Sequence, residues 1–135
     1  MAGPDGQPVI SLTGVRLDRG ERTVLSGIDL TLSERRIGVI GANGSGKSSF
    51  ARLLNGLLLP SRGSVAVDGL DTRKDAGAVR RKVGFLFQNP DNQVIYPTVG
   101  EDLAFGLKGR KLPKAEITAR VEATLKRFSL DGFGD

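Results

Sequence analysis

A chain of 135 residues, 39% hydrophobic and 26% charged, has the balance of one soluble globular domain with enough length to bury a core. It contains no cysteine and no histidine, which excludes disulfides and thiolate metal sites and removes the commonest general base and metal ligand. The net charge of +5 is spread over separate short clusters, Arg35-Arg36, Arg80-Arg81-Lys82 and Lys108 to Lys111, with no interleaved basic and aromatic stripe, so no nucleic-acid partner is expected.

In chain order, residues 1–8 are a Gly/Pro-rich flexible tail without the basic and apolar regions of a signal peptide. Val9 to Leu17 reads as a strand. Thr23 to Leu32 reads as another, half-buried, with Ile28, Leu30 and Leu32 alternating against Asp29 and Thr31. The apolar run Ile37-Gly38-Val39-Ile40 reads as a buried strand leading into Gly41-Ala42-Asn43-Gly44-Ser45-Gly46-Lys47-Ser48-Ser49. Phe50, Leu53, Leu54, Leu57 and Leu58 then follow at helical spacing. No stretch is long enough to cross a membrane, Leu57-Leu58-Leu59 being part of a helix end, and a cytosolic chain is expected.

Pro60 to Gly63 is a turn, Ser64 to Val67 a short strand and Asp68-Gly69 a tight turn, together a hairpin arm. Val83-Gly84-Phe85-Leu86-Phe87 is a β-rich run suited to a sheet core, broken by Gln88-Asn89-Pro90-Asp91. Beyond Pro97 the period changes. Thr98 with Glu101 forms a capping box opening a helix to about Leu107. Another helix starts near Pro113 or Lys114 and puts Ile117, Val121, Thr124, Leu125 and Phe128 on one face. The expected organisation is an α/β fold: a tail over 1–8, a P-loop nucleotide-binding core with an antiparallel β subdomain over 9–91, and the start of a helical subdomain over 92–135.

The loop at 41–49 fills every fixed position of G-x-x-x-x-G-K-[ST], between an apolar run and a helix, as a phosphate-binding P-loop requires. Triphosphate oxygens are best held by several backbone N–H groups at once, and Gly44 and Gly46 lack the β-carbons that would block that approach. Lys47 then reaches the β- and γ-phosphates, and the Ser48 hydroxyl can ligate a bridging Mg²⁺. The bland alternative is a glycine turn beside a surface lysine. A dinucleotide-binding turn fits less well: Gly44-Ser45-Gly46 supplies a G-x-G and Asp68 a distant acid, but Ser49 stands where the third glycine belongs. For the basic clusters, solvated surface is the plainer reading; a basic face toward an anionic membrane leaflet is the other.

The P-loop, the segment Phe87-Gln88-Asn89-Pro90-Asp91-Asn92-Gln93 and the segment Tyr96-Pro97-Thr98-Val99-Gly100-Glu101-Asp102-Leu103-Ala104-Phe105-Gly106-Leu107 together resemble the ATP-binding subunits of ABC transporters. Within that family they are most similar to the energy-coupling-factor importers of vitamins and transition metals. The approach Leu32-Ser33-Glu34-Arg35-Arg36-Ile37-Gly38 and the turn Gly20-Glu21-Arg22-Thr23-Val24-Leu25 look like the biotin branch. The resemblance implies that residues 41–49 bind ATP, that Ser48 and Gln88 contact Mg²⁺, and that Gln88 also contacts the attacking water. It implies adenine stacking at Arg19, where the family usually has an aromatic residue. Segment 92–107 would receive the transmembrane component, and a second ATPase subunit would complete a dimer on the inner face of the membrane. Plainer readings stand beside these: Gln88 as a polar strand cap, Arg19 as an exposed turn residue, and 92–107 as an ordinary helix burying Leu103 and Leu107.

The family also requires a Leu-Ser-Gly-Gly-Gln signature, a Walker B strand ending in Asp-Glu and a later histidine. None of these occurs in this sequence. Val65-Ala66-Val67-Asp68 imitates a Walker B strand, but Gly69 follows it and it belongs to the hairpin arm. The expectation is a chain truncated before those motifs, able to bind Mg-ATP and unable to hydrolyse it alone. Either it is the amino-terminal part of a transporter ATPase, or it is a nucleotide-binding fragment without activity of its own.

Overall fold

The computed structural model describes residues 9–89, 91 and 93–134; the tail expected over 1–8 lies outside the described residues. The chain divides into two compact units, Met1–Phe85 and Leu86–Asp135. No helix among the described residues is long and apolar enough to cross a membrane.

The first unit is built on an antiparallel hairpin of β1 (Ile10–Arg19) and β2 (Arg22–Leu32), running in register from Ile10 opposite Leu32 to Arg19 opposite Arg22. On the other edge of β1 lies β3 (Arg62–Val67), and the two-residue β4 (Leu70–Asp71) completes a sheet of order β2-β1-β3-β4. Strict alternation along β1 would put Leu12 on one face and Val15 and Leu17 on the other. Irregular register at Gly14, whose φ is +54°, shifts the alternation by one residue, so all three are buried. They pack with Val65 and with Leu53 of the helix α1 (Lys47–Leu54), and burying a side chain of this kind contributes about 1.5–3 kcal/mol. Opposite the bulge, Gly63 lies so close to the carbonyls of Thr13 and Gly14 that a β-carbon could not fit.

A second helix, α2 (Ala76–Lys82), follows β4 and buries Val79. The sequence reading contains no helix there. At the β3–β4 turn, Asp68 adopts a φ of +50°, and its carboxylate accepts hydrogen bonds from Lys82 Nζ at 2.8 Å and the Val9 N–H at 3.0 Å. The Lys82 bond first, and the Val9 bond second, hold this carboxyl below its ordinary pKa.

Two expected strands do not form. Ile37 to Ile40 and Val83 to Phe87 enter no ladder, and Ile40 is 97% and Leu86 83% exposed. Both runs are apolar on both faces, the pattern of strands that need neighbours on each side and cover above and below. No such neighbours pair with them among the described residues, whereas the strands of the arm pair with one another.

In the second unit, α3 (Val99–Phe105) opens at Thr98, whose hydroxyl accepts from the Glu101 N–H at 3.2 Å. The Glu101 carboxylate bonds back to that hydroxyl at 3.1 Å, rather than to the Thr98 backbone as a full capping box does. A 3₁₀ turn over Lys108–Arg110 leads to α4 (Lys114–Arg127), which starts directly after Pro113. Leu125 is buried, but Phe128, expected on the same buried face, is 67% exposed. With seven residues α3 is half as long as the 14-residue α4, and Phe128 lies past the end of α4.

Candidate functional site

The loop at 41–49 is held from behind by the sheet. Gly46 has a φ of +96°, and a β-carbon there would stand 2.9 Å from Leu25 Cδ2 and 3.2 Å from the Val24 carbonyl. Glycine is therefore required twice, for its backbone conformation and for the approach of β2. Gly44 is also left-handed, at +78°. Ser45 N–H donates to the Ala42 carbonyl at 3.2 Å, closing the loop on itself. Leu53, one turn and a half into α1, anchors the helix in the core.

The first bond along α1 runs from Phe50 N–H to the Gly46 carbonyl at 2.8 Å. The N–H groups of Gly46, Lys47, Ser48 and Ser49 therefore precede the helical ladder and have no acceptor within it. They add their partial positive charge to that of the helix end, which favours an anion. Lys47 Nζ donates to the carbonyls of Gly41 at 2.7 Å and Ala42 at 2.9 Å, so the cation is folded over the mouth of its own loop. An ammonium has three donors, and these bonds use two. Gly41, Ala42, Asn43, Gly44, Ser45 and Ser48 are exposed, and Gly46, Lys47 and Ser49 are half-buried.

Arg19 is exposed at the end of β1, opposite Arg22 across the hairpin turn at Gly20. Beside it sits a polar network absent from the sequence reading. Asp18 accepts from the Thr23 hydroxyl at 2.7 Å and from Arg16 Nε at 3.0 Å, and its N–H donates to Ser61 Oγ at 2.9 Å. The Thr23 bond first, and the Arg16 guanidinium next, hold the Asp18 carboxyl below its ordinary pKa. The backing of Gly46 by Val24 and Leu25 was also missed. Its only trace in the sequence is that these residues sit mid-strand.

Gln88 belongs to the second unit and lies exposed in a bend, not at the end of a strand, because the run before it forms none. Around it, the Phe87 N–H donates to Gln93 Oε1 at 3.1 Å and the Asp91 N–H to Asn89 Oδ1 at 3.1 Å. Further on, one Asp102 carboxylate oxygen accepts from the N–H groups of Ile95 at 3.0 Å and Tyr96 at 3.3 Å. That clasp fixes the segment before α3 and leaves Val94 and Ile95 exposed.

The family pattern described as ABC transporter matches residues 25–135. An ABC transporter ATP-binding protein of Deinococcus radiodurans is 62% identical over 122 residues, covering 90% of this chain and 54% of its own length. The biotin transport ATP-binding protein BioM of Rhizobium etli is 53% identical over 116 residues, covering 86% and 51%. Among solved structures, cbiO1 from Clostridium perfringens, described as part of the ABC transporter complex cbiONQ, superposes with a TM-score of 0.77 at 31% identity. It covers 93% of this chain and 52% of that one. The chain thus spans about half the length of the curated relatives it matches.

Proposed function

The chain belongs to the ABC transporter family, and from that premise we propose that it binds Mg-ATP as part of the energy-coupling subunit of an importer for a vitamin or transition-metal ion. The observation that carries the reading is the loop at 41–49. Its Gly46 is seated against β2, its N–H groups from Gly46 to Ser49 lie ahead of the helical ladder, and the Lys47 ammonium is folded over its mouth. Gly41, Ala42, Asn43, Gly44, Ser45 and Gly46 wrap the β-phosphate with backbone, and Lys47 exchanges its carbonyl bonds for phosphate oxygens. Ser48 ligates Mg²⁺ through its hydroxyl, and Ser49 donates from the helix end. The Ser48 hydroxyl is a hard oxygen of the kind Mg²⁺ takes, the Lys47 ammonium suits the anionic phosphates, and Mg²⁺ held there would supply charge neutralisation.

Arg19 stacks its guanidinium plane on the adenine, and Gln88 contributes to Mg²⁺ and to the position of the attacking water. The segment 92–107, with Val94 and Ile95 exposed beside the Asp102 clasp, receives a transmembrane component at the inner face of the membrane. The relative named for biotin transport supports a vitamin as the cargo. Hydrolysis needs a second ATPase subunit, whose contribution closes the site from solvent.

A second reading is a nucleotide-binding piece without transport or ATPase activity of its own. Both readings require nucleotide binding. Titration of the chain with Mg-ATP should saturate, and Lys47→Ala should abolish or severely weaken it, since one cation is lost from a highly charged site. Unchanged affinity in a folded Lys47→Ala variant would overturn the assignment.

A further inference from the structure

The second unit carries seven basic and seven acidic side chains, yet they are not mixed along it. Between Leu103 and Ala115 the sequence holds Lys108, Arg110, Lys111 and Lys114 and no acid. All four are exposed, on the 3₁₀ turn and the start of α4. Elsewhere in the unit Arg120 is paired with Glu116 at 2.7 Å, and Lys126 and Arg127 sit in the last turn of α4, where the helix dipole favours cations. None of the ion pairs among the described residues involves Arg110, Lys111 or Lys114.

The turn is also held in place. Lys108 Nζ donates to the Tyr96 hydroxyl at 3.1 Å and lies 5.1 Å and 5.5 Å from the centres of the Tyr96 and Phe105 rings. The cationic turn is thereby tied to the segment that Asp102 clasps. Lys111 adopts a φ of +52°, a position after a helical turn where glycine or asparagine is the favoured residue. A lysine stands there although glycine would be less strained.

We infer that Lys108, Arg110, Lys111 and Lys114 form a contact surface for the anionic headgroups of a lipid bilayer. This rests on the reading of the chain as a component of a membrane transporter. A planar anionic surface needs exposed cations and no pocket. The groove lined by Leu107, Val121 and Arg127 and the one lined by Val94, Pro97 and Leu103 take in none of Arg110, Lys111 and Lys114. An acidic peptide would need such a groove beside the cations. Single-stranded nucleic acid would need free aromatic faces beside the cations, whereas the two rings that Lys108 meets, Tyr96 and Phe105, lean on each other with ring centres 5.3 Å apart.

Each cation near such a surface strengthens binding by about fivefold, so removing three lowers it on the order of 100-fold at low ionic strength. The test is flotation of the full chain with vesicles of phosphatidylcholine alone or mixed with phosphatidylglycerol. The expected result is binding to the mixed vesicles only, reversed by salt, and lost in the triple variant Arg110→Gln/Lys111→Gly/Lys114→Gln. Glycine suits the backbone at position 111, so this variant keeps its thermal stability. A control, Arg35→Gln/Arg36→Gln/Arg81→Gln, removes the same charge elsewhere and should lose less than about threefold. Equal losses in the two variants, equal binding to neutral vesicles, or an RNA oligomer released by the first variant while vesicle binding persists would each overturn the proposal. ATP affinity is read on the same samples. A wild type that floats without binding ATP would discredit the nucleotide reading alone, and one that binds ATP without floating would discredit the lipid surface alone.

Discussion

In the first unit Leu12, Val15, Leu17, Leu53, Val65, Val67 and Val79 are buried, while in the second Leu125 alone is, among the described residues. Length does not explain the contrast. The first unit pairs four strands with one another, two pairs across short turns and β3 on β1 after the excursion through α1, and closes that helix over one face. The second is held mainly by local polar devices: the Thr98–Glu101 cap, the Asp102 clasp, the Lys108 bridge and the Glu116–Arg120 pair. Burial of apolar area stabilises a fold far more than such bonds do, each of which contributes about 0.5–1.5 kcal/mol. The loop proposed to hold phosphate thus sits on the firm part of the molecule, and the segment proposed to meet the membrane partner sits on the pliable part.

Leu53→Ala sharpens that contrast most. It removes a side chain with no exposed surface from beneath the loop-bearing helix, and the loss should be about 2–5 kcal/mol by denaturant unfolding. Leu125→Ala deletes the same atoms from a thinner setting and should lower stability by clearly less, seen as faster hydrogen exchange confined to residues 99–130. Equal losses from the two substitutions would remove the distinction between the units.

Next in size is Thr98→Ala, which takes away the acceptor for the Glu101 N–H and the donor to the Glu101 carboxylate. Loss of a cap of this type costs about 1 kcal/mol. In a unit with one buried leucine that is enough to fray α3, and exchange at residues 99–105 should rise while the sheet is unaffected. Unchanged protection of α3 would mean that packing, not the cap, sets its stability.

The same contrast explains what could be read from the sequence. The glycine loop at 41–49, the strands β1 and β2, the arm at 62–71, α3 and α4 were legible because their signals are local: fixed glycines, two-residue alternation, a cap three residues from its partner. The run 37–40 looked like a strand by composition, but a ladder depends on what lies beside it, which no window of sequence contains. Helix α2 was invisible for the opposite reason. It is seven residues long with Gly77 inside it, and its one buried side chain, Val79, makes no periodic face. At the candidate site, the glycines and lysine of the 41–49 motif were legible as a pattern of fixed spacing. Their supports, Leu25 behind Gly46 and Thr23 beside Asp18, were not, because both are contacts made by folding.

The smallest effect probes the polar contacts of the firm unit. Asp68 accepts from Lys82 and from the Val9 N–H, and both bonds favour its ionised form, so its pKa is lower folded than unfolded. A depressed carboxyl contributes stability that is fully present above its unfolded pKa, about 3.9, and is lost as pH falls through the folded value. Stability of the first unit should therefore be flat from neutral pH to about 5 and decline below about 4. Because Lys82 is half-exposed, with 51% of its side chain accessible, salt should shrink the decline. Asp68→Asn is the clean comparison, since asparagine also tolerates the left-handed backbone at this turn and can still accept from the Val9 N–H. It should fall slightly below the wild type at pH 7, and the gap should narrow at pH 3. A variant that tracks the wild type at both pH values would show that the Lys82 contact adds nothing to the sheet and that the firm unit owes its stability to apolar burial alone.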